Sequence, residues 1–216
     1  MPDFLNLVEV NKIFSGSEII IGAQDCFWEK QGAFTGEISP FHLKEAGCEY
    51  VLIGHSERRE NIGETNTMLH AKIRAALEAK LIPVLCVGEK FEERQQGQKD
   101  YILLKQVTEA LEGVEINEQS MVVIAYEPRW VIGSGQAVEA DEAEHAHRVI
   151  FQALINLFDV PQVKKSFRII YGGSVNKDNA QGFLGQSTVN GVLVGTTSLN
   201  QDEFINIIEI ASKYGD

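Results

Sequence analysis

An α/β fold of repeated strand–helix units around a parallel sheet is what this chain predicts, on three observations. Short apolar runs recur along it, amphipathic helical patterns lie between them, and polar or glycine-rich segments follow several of the runs. The runs cover residues 19–23, 50–53, 82–87, 121–126, 168–171 and 191–194, giving six expected strands. Their continuous apolar character suits strands covered on both faces, as in parallel sheets. Between them, residues 67–80, 91–111, 141–158 and 202–213 carry apolar side chains at spacings of three or four, the helical period. Periodicity alone leaves open a closed barrel and an open doubly wound sheet. The scatter of polar motifs over strand ends far apart in sequence favours the barrel, whose mouth gathers them.

No low-complexity tract or Pro/Gly/Ser linker divides the chain, and 216 residues with 44% hydrophobic content suit a single domain spanning 1–216. The formal charge of -12 opposes nonspecific attraction to nucleic acid and to anionic membrane surfaces, so neither partner is expected. A local basic pocket can still hold a small phosphate. Three cysteines, Cys26, Cys48 and Cys86, form an odd set without C-x-x-C spacing, which suggests neither a disulfide framework nor structural zinc. His145 and His147 sit in a helical stretch without a zinc pattern, so no metal is expected. A reducing, cytoplasmic location fits this composition. No apolar stretch approaches the roughly 18 residues of a membrane span, and the N-terminus has no basic segment leading into a signal core.

The most informative stretch is Ala125-Tyr126-Glu127-Pro128-Arg129-Trp130-Val131-Ile132-Gly133-Ser134-Gly135. It sets a carboxylate at the end of an apolar strand and just before a glycine-hinged loop. Pro128 cannot donate to a sheet ladder, so the strand should stop by Glu127. Taken alone, a Glu before a Pro is an ordinary loop carboxylate. Two further segments share the pattern: Gly54-His55-Ser56-Glu57-Arg58-Arg59 after residues 50–53, and Tyr171-Gly172-Gly173-Ser174-Val175-Asn176 after residues 168–170. Three such strand ends suggest one shared face. Cys86, at another strand end, reads best as a small buried hydrophobe.

These three segments closely resemble the motifs of the triosephosphate isomerase family, and the resemblance runs from Pro2 to the C-terminus. It implies a TIM (β/α)8-type barrel with about six of eight strands in this chain. The implied activity is interconversion of glyceraldehyde 3-phosphate and dihydroxyacetone phosphate, in glycolysis and gluconeogenesis, without a cofactor. The resemblance implies Glu127 as the base and His55 as the electrophile, the family's own division of labour. Glu57 takes a secondary catalytic role, while Arg58 and Arg59 are read as structural support. Gly133 in the lid, Ser174, Gly195 and Thr196 are the implied phosphate-binding positions. Glycines there would permit close approach and positive φ. Gln31-Gly32-Ala33-Phe34-Thr35-Gly36-Glu37 resembles the loop by which members brace a partner subunit, with Thr35 reaching across, so a homodimer is expected of the complete protein.

Several departures stand out. The family usually has glycine where Thr196 stands, so a side chain there is expected to crowd the phosphate or to force an unfavourable backbone angle. Arg129 occupies a lid-hinge position that is usually apolar. The resemblance begins just after the family's second strand, so the chain is expected to be N-terminally incomplete, with Met1 internal to a longer protein, and weakly stable at the resulting sheet edges. The family's Asn-x-Lys motif, whose lysine supplies the cation at the site, has no aligned counterpart; Asn11-Lys12 lacks the spacing and lies in a helical segment. An impaired isomerase is therefore expected. The alternatives are a noncatalytic phosphate-binding barrel relative or assembly partner, and another phosphate-sugar isomerase on a similar barrel.

Overall fold

A computed structural model describes residues 1–131 and 136–214. The chain divides into two compact units, Met1–Leu85 with Glu109–Val123, and Cys86–Thr108 with Ile124–Asp216. Five parallel-type strands follow one another in hydrogen-bonded order, β1 (Gly22–Ala23), β2 (Tyr50–Ile53), β3 (Ile82–Val87), β4 (Val122–Tyr126) and β5 (Phe167–Tyr171). The helices are α1 (Leu7–Ile13), α2 (Pro40–Glu45), α3 (Ser56–Asn61), α4 (Asn66–Glu78), α5 (Phe91–Gln95), α6 (Lys99–Leu111), α7 (Ala140–Leu157), α8 (Val160–Ser166), α9 (Ala180–Leu184) and α10 (Gln201–Ala211).

In the first unit, β1 runs parallel to β2 with Gly22 opposite Tyr50, and β2 runs parallel to β3 with Tyr50 opposite Ile82. Inward side chains of β2, Val51 and Ile53, are fully buried, as are Leu69 and Ile73 of α4, which packs on that strand. α4 starts where Thr65 Oγ1 accepts from Met68 N, and α2 starts where Ser39 Oγ accepts from Phe41 N ahead of Pro40. Lys80, in the turn after α4, is the only non-glycine among the described residues with positive φ, at 60°.

In the second unit, α7 packs on β5, and Tyr126, Ile124, Ile150, Leu154 and Tyr171 form a fully buried core. The Tyr171 ring stacks on Phe183 with centroids 4.0 Å apart. Asp159 caps α8 by accepting from Gln162 N at 2.7 Å.

Three expected elements differ from their sequence reading. Residues 19–23 form only the two-residue β1, with Ile19 and Ile20 exposed, and the expected strand at 191–194 is reduced to a bridge between Tyr171 and Val192. Each has a hydrogen-bonded strand neighbour on one side only among the described residues, so pairing does not propagate along it. The expected helix 91–111 breaks in two, because Gly97 adopts φ +68° and turns the chain between α5 and α6.

Candidate active site

His55 occupies the turn between β2 and α3, as the residue preceding the helix. Its carbonyl accepts from both Arg58 N and Arg59 N, which fixes its backbone at the helix entry. Gly54 must be glycine: its φ is +75°, and a Cβ there would meet Leu69 Cδ1 at 2.4 Å. Arg59 donates to the Gly54 carbonyl at 2.7 Å and to Asn66 Oδ1 at 2.7 Å, tying the turn to the start of α4. The imidazole is half-buried, and its Nδ1 lies 3.8 Å from Glu57 Oε2, whose side chain is largely exposed in the first turn of α3.

Beneath this turn lies a buried network of two carboxylates and two cations. Lys72 Nζ lies 2.6 Å from Asp25 and 2.5 Å from Glu64, and Arg58 reaches Glu64 at 2.7 Å and Asp25 at 2.9 Å. Burial pushes the Asp25 carboxyl up, with Lys72 opposing it. Burial also acts on Glu64, but hydrogen bonds from Lys72 and Arg58 outweigh it and hold that carboxyl below the usual range. Arg58 and Arg59 thus make structural contacts on either side of His55. In the same unit the 27–38 loop is closed by Phe27 N donating to Ile38 O, Phe34 folds back on Phe27, and Thr35 is exposed at its tip.

Glu127 follows β4 in the second unit and is only 1% exposed. Its N–H donates to Val87 O at 2.8 Å, so the residue is fixed by the sheet ladder just beyond the last strand residue. Two glycines flank it. A Cβ on Gly88 would lie 1.7 Å from the Glu127 carbonyl oxygen, and one on Gly172 would lie 2.9 Å from Glu127 Cγ and 3.5 Å from Oε1. Gly173 is equally constrained, since its Cβ would meet the Tyr171 hydroxyl at 2.1 Å. The glycines of the 172–174 segment therefore leave room for neighbouring groups; neither lies at positive φ.

Beyond Glu127 the chain turns through a short 3-10 helix, Arg129–Val131, tethered by Arg129 N donating to Glu89 O. Glu89, fully buried, accepts from Trp130 Nε1 at 3.1 Å and from the Tyr126 hydroxyl at 3.3–3.4 Å. Burial pushes its carboxyl up, and these donors partly oppose the shift. The Arg94 guanidinium lies 4.7 Å over the Trp130 ring and pairs with Glu142 through both of its terminal nitrogens. The entry to the expected lid is thus held by an indole between a carboxylate and a guanidinium.

Ser174 sits in a turn shaped by two asparagines: Asn176 and Asn179 exchange side-chain-to-backbone bonds, and Asn179 Nδ2 donates to Ser174 O at 3.0 Å. Gly195 precedes a 3-10 turn, Thr196–Leu199, whose first amides have no acceptor within the turn. Gly195 has φ -83°, so the positive φ expected at this glycine is absent. Thr196 likewise avoids positive φ, which removes the expected strain, and its side chain is exposed. Gly133 lies outside the described residues.

This combination of strand ends has close counterparts elsewhere. A sequence profile described as triosephosphate isomerase matches residues 1–211. The chain belongs to the triosephosphate isomerase family. Relatives of that name from Dictyoglomus turgidum, Dictyoglomus thermophilum and Aquifex aeolicus are 44%, 45% and 45% identical to it, over 96% of this chain and 83% of each relative. A crystal structure of triosephosphate isomerase from Bartonella henselae superposes with a TM-score of 0.88 at 34% identity, covering 98% of this chain and 84% of that one. The fold is accordingly a TIM barrel, and the chain is an isomerase by family.

Sequence reading passed over Gly88 and Glu89, although Val87-Gly88-Glu89 repeats the pattern of a polar group just past an apolar run. The same pattern marks His55 and Ser174. Asp25, Glu64 and Lys72 carried no such signal, since their pairing spans up to 47 residues.

Proposed function

We propose that the chain interconverts glyceraldehyde 3-phosphate and dihydroxyacetone phosphate by carrying one proton between adjacent carbons. Glu127 takes the proton from the carbon beside the carbonyl, the C–H electron pair forms the enediolate double bond, and the carbonyl oxygen gains the negative charge. His55 donates to the enediolate oxygens, a proton passes from the neighbouring hydroxyl oxygen to the former carbonyl oxygen, and the proton on Glu127 returns to the neighbouring carbon as the new carbonyl forms. Glu57 acts secondarily through its approach to His55. Ser174, Gly195 and Thr196, with Gly133 of the lid, bind the substrate phosphate through backbone N–H groups.

The observation that carries this reading is the state of Glu127: a carboxylate 1% exposed at a strand end, with glycine on both sides. A dry carboxylate is a stronger base than a solvated one, and the missing side chains leave the space that the Glu127 backbone and side chain themselves occupy, which fixes the carboxylate at the strand end. Family membership supports the choice of reaction. We place the protein in the cytoplasm, as a glycolytic enzyme, and assign Thr35 to a homodimer contact of the complete assembly.

The 216 residues contain no Asn-x-Lys sequence. Without a cation at the phosphate and enediolate, turnover of this chain alone is slow. Loss of one preorganised donor costs roughly 10²- to 10³-fold, and loss of a charge costs more. The same absence favours the second reading, a barrel that binds phosphate without catalysis.

The test is an isomerase assay on the purified chain beside its Glu127→Gln variant, with substrate binding measured in parallel. Weak turnover abolished by the variant supports the proposal. Rapid turnover would overturn the impairment, and binding with no turnover above the variant would select the noncatalytic reading.

A further inference from the structure

The second unit contains a cleft unrelated to the strand ends above. It has a volume of about 530 Å³ and lies where α7 and α8 meet the start of β5, within the size range of small-molecule sites. Its apolar wall is built from Phe151, Leu154, Val163, Phe167 and Ile169. Its polar side carries three cations, Arg148, Lys164 and Arg168.

Those cations are unevenly satisfied. Arg148 is 2.5 Å from Glu144, so one carboxylate offsets one charge. Arg168 Nη1 donates to the carbonyls of Phe167, Lys164 and Lys165 at 2.8, 3.1 and 3.4 Å, which fixes the guanidinium without neutralising it. Neither Arg168 nor Lys164 has a carboxylate partner among the described residues. Two unneutralised cations beside an apolar wall reverse the local sign of a chain whose net charge is -12. A hydrogen-bonding group is present as well. Thr188 Oγ1 is buried and has no partner among the described residues, while its carbonyl is held at 3.0 Å from His147 Nδ1. Buried polar groups are rarely left unpaired, so this hydroxyl marks a place where a polar ligand atom would be welcome.

We propose that this cleft binds a small organic oxyanion, a carboxylate or phosphate head on a compact apolar body. The body lies against Phe151 and Phe167, the head meets Lys164 and Arg168, and Thr188 supplies a neutral hydrogen bond. A neutral apolar molecule would leave both cations without a counterion, and a bare inorganic anion would leave the apolar wall wet. Because the cleft opens at the first residues of β5 whereas Ser174 follows its last, the length of the strand separates the two sites, about 16 Å at the usual rise per residue. Occupancy is therefore independent of the expected phosphate loop.

The test titrates the isotopically labelled full chain with benzoate, phenyl phosphate, benzamide and inorganic phosphate, following backbone amide shifts. Expected are saturable shifts at Ile169, Thr188 and Asn190 with benzoate or phenyl phosphate, at dissociation constants below about 1 mM. The tighter of the two identifies the head group. Lys164→Met removes an exposed side chain with no structural bond, and is expected to weaken binding about tenfold while leaving the rest of the spectrum unchanged. Arg168→Met should weaken it further, with the spectrum reporting whether that variant still folds. Equal binding of benzamide, undiminished binding by Lys164→Met, shifts confined to residues 172–176, or no saturation by 10 mM would each overturn the proposal.

Discussion

Around His55 the positioning groups are charges, whereas around Glu127 they are missing side chains and aromatic rings. The turn bearing His55 rests on Asp25, Arg58, Glu64 and Lys72, with Lys72 and Glu64 side chains each 3% exposed. Withdrawing such charges from water costs several kcal/mol per ion, and the cost is offset only while every charge keeps its partners. Glu127 instead depends on Gly88 and Gly172, where no Cβ intrudes, and leads into a turn where Tyr126 and Trp130 both donate to the buried Glu89. The first arrangement should fail by subtraction of a group and the second by addition of one.

The largest effect should come from subtraction. Lys72→Met leaves Asp25 and Glu64 facing each other with Arg58 as their only remaining cation in the network, and should destabilise the fold by about 3–5 kcal/mol, the usual cost of breaking a buried pair. Urea unfolding measures it. A loss under about 1 kcal/mol would mean that water already reaches the network, and the contrast between the two regions would collapse.

The next effect adds a proton to the second unit. His147 is fully buried, its Nδ1 meets the Thr188 carbonyl, and burial holds its pKa down at about 4 against an ordinary 6.5, with that carbonyl and the charge of Glu144 opposing the shift. The folded state disfavours the protonated ring, so the unfolded chain takes up the proton first as pH falls. The stabilisation is full above pH 6.5 and lost progressively as pH falls towards 4, a change of about 3 kcal/mol. Unfolding curves across that window measure it, and His147→Gln should flatten the dependence. An unchanged slope in the variant would place the acid sensitivity elsewhere.

Addition of a methyl group should act more modestly. Gly88→Ala drives a Cβ into the Glu127 carbonyl, which is backbone and cannot swing aside. A loss of about 1–3 kcal/mol is expected from the forced shift, with isomerase activity falling further than stability because Glu127 itself is displaced. Full activity in a folded Gly88→Ala protein would show that the glycine is not what positions the base.

The contrast also explains what could be read in the sequence. His55, Glu127 and Ser174 were legible because each follows an apolar run, and strand ends advertise themselves locally. Steric needs at Gly54 were half legible, as a glycine at a strand end, but the contact with Leu69 that enforces it lies 15 residues away and left no local mark. The charged network was illegible for the same reason: Lys72 reads as one polar position on a helix until Asp25 is brought to it. The expected strands at 19–23 and 191–194 were overread, since an apolar run predicts burial and a strand also needs a neighbour to bond. Glu89 is legible by the same rule as His55, since Val87-Gly88-Glu89 puts a polar group just past an apolar run.

Trp130→Phe gives the smallest effect and tests how the aromatic half works. The indole N–H donates to Glu89 at 3.1 Å, closer than the Tyr126 hydroxyl at 3.3–3.4 Å. Phenylalanine keeps a ring beneath Arg94 and removes that donor alone, so packing and cation–π contact are largely retained. The buried carboxylate then relies on Tyr126 and on Arg94 at 4.0 Å, and stability should fall by about 1–2 kcal/mol. Glu89, already pushed up by burial, should shift further up, because one of the groups opposing that shift is gone. Trp28 remains as the single tryptophan, so its fluorescence can follow unfolding in the variant. Stability equal to the parent would mean that ring packing alone fixes the residues leading towards the lid, leaving the hydrogen bond no part in holding them.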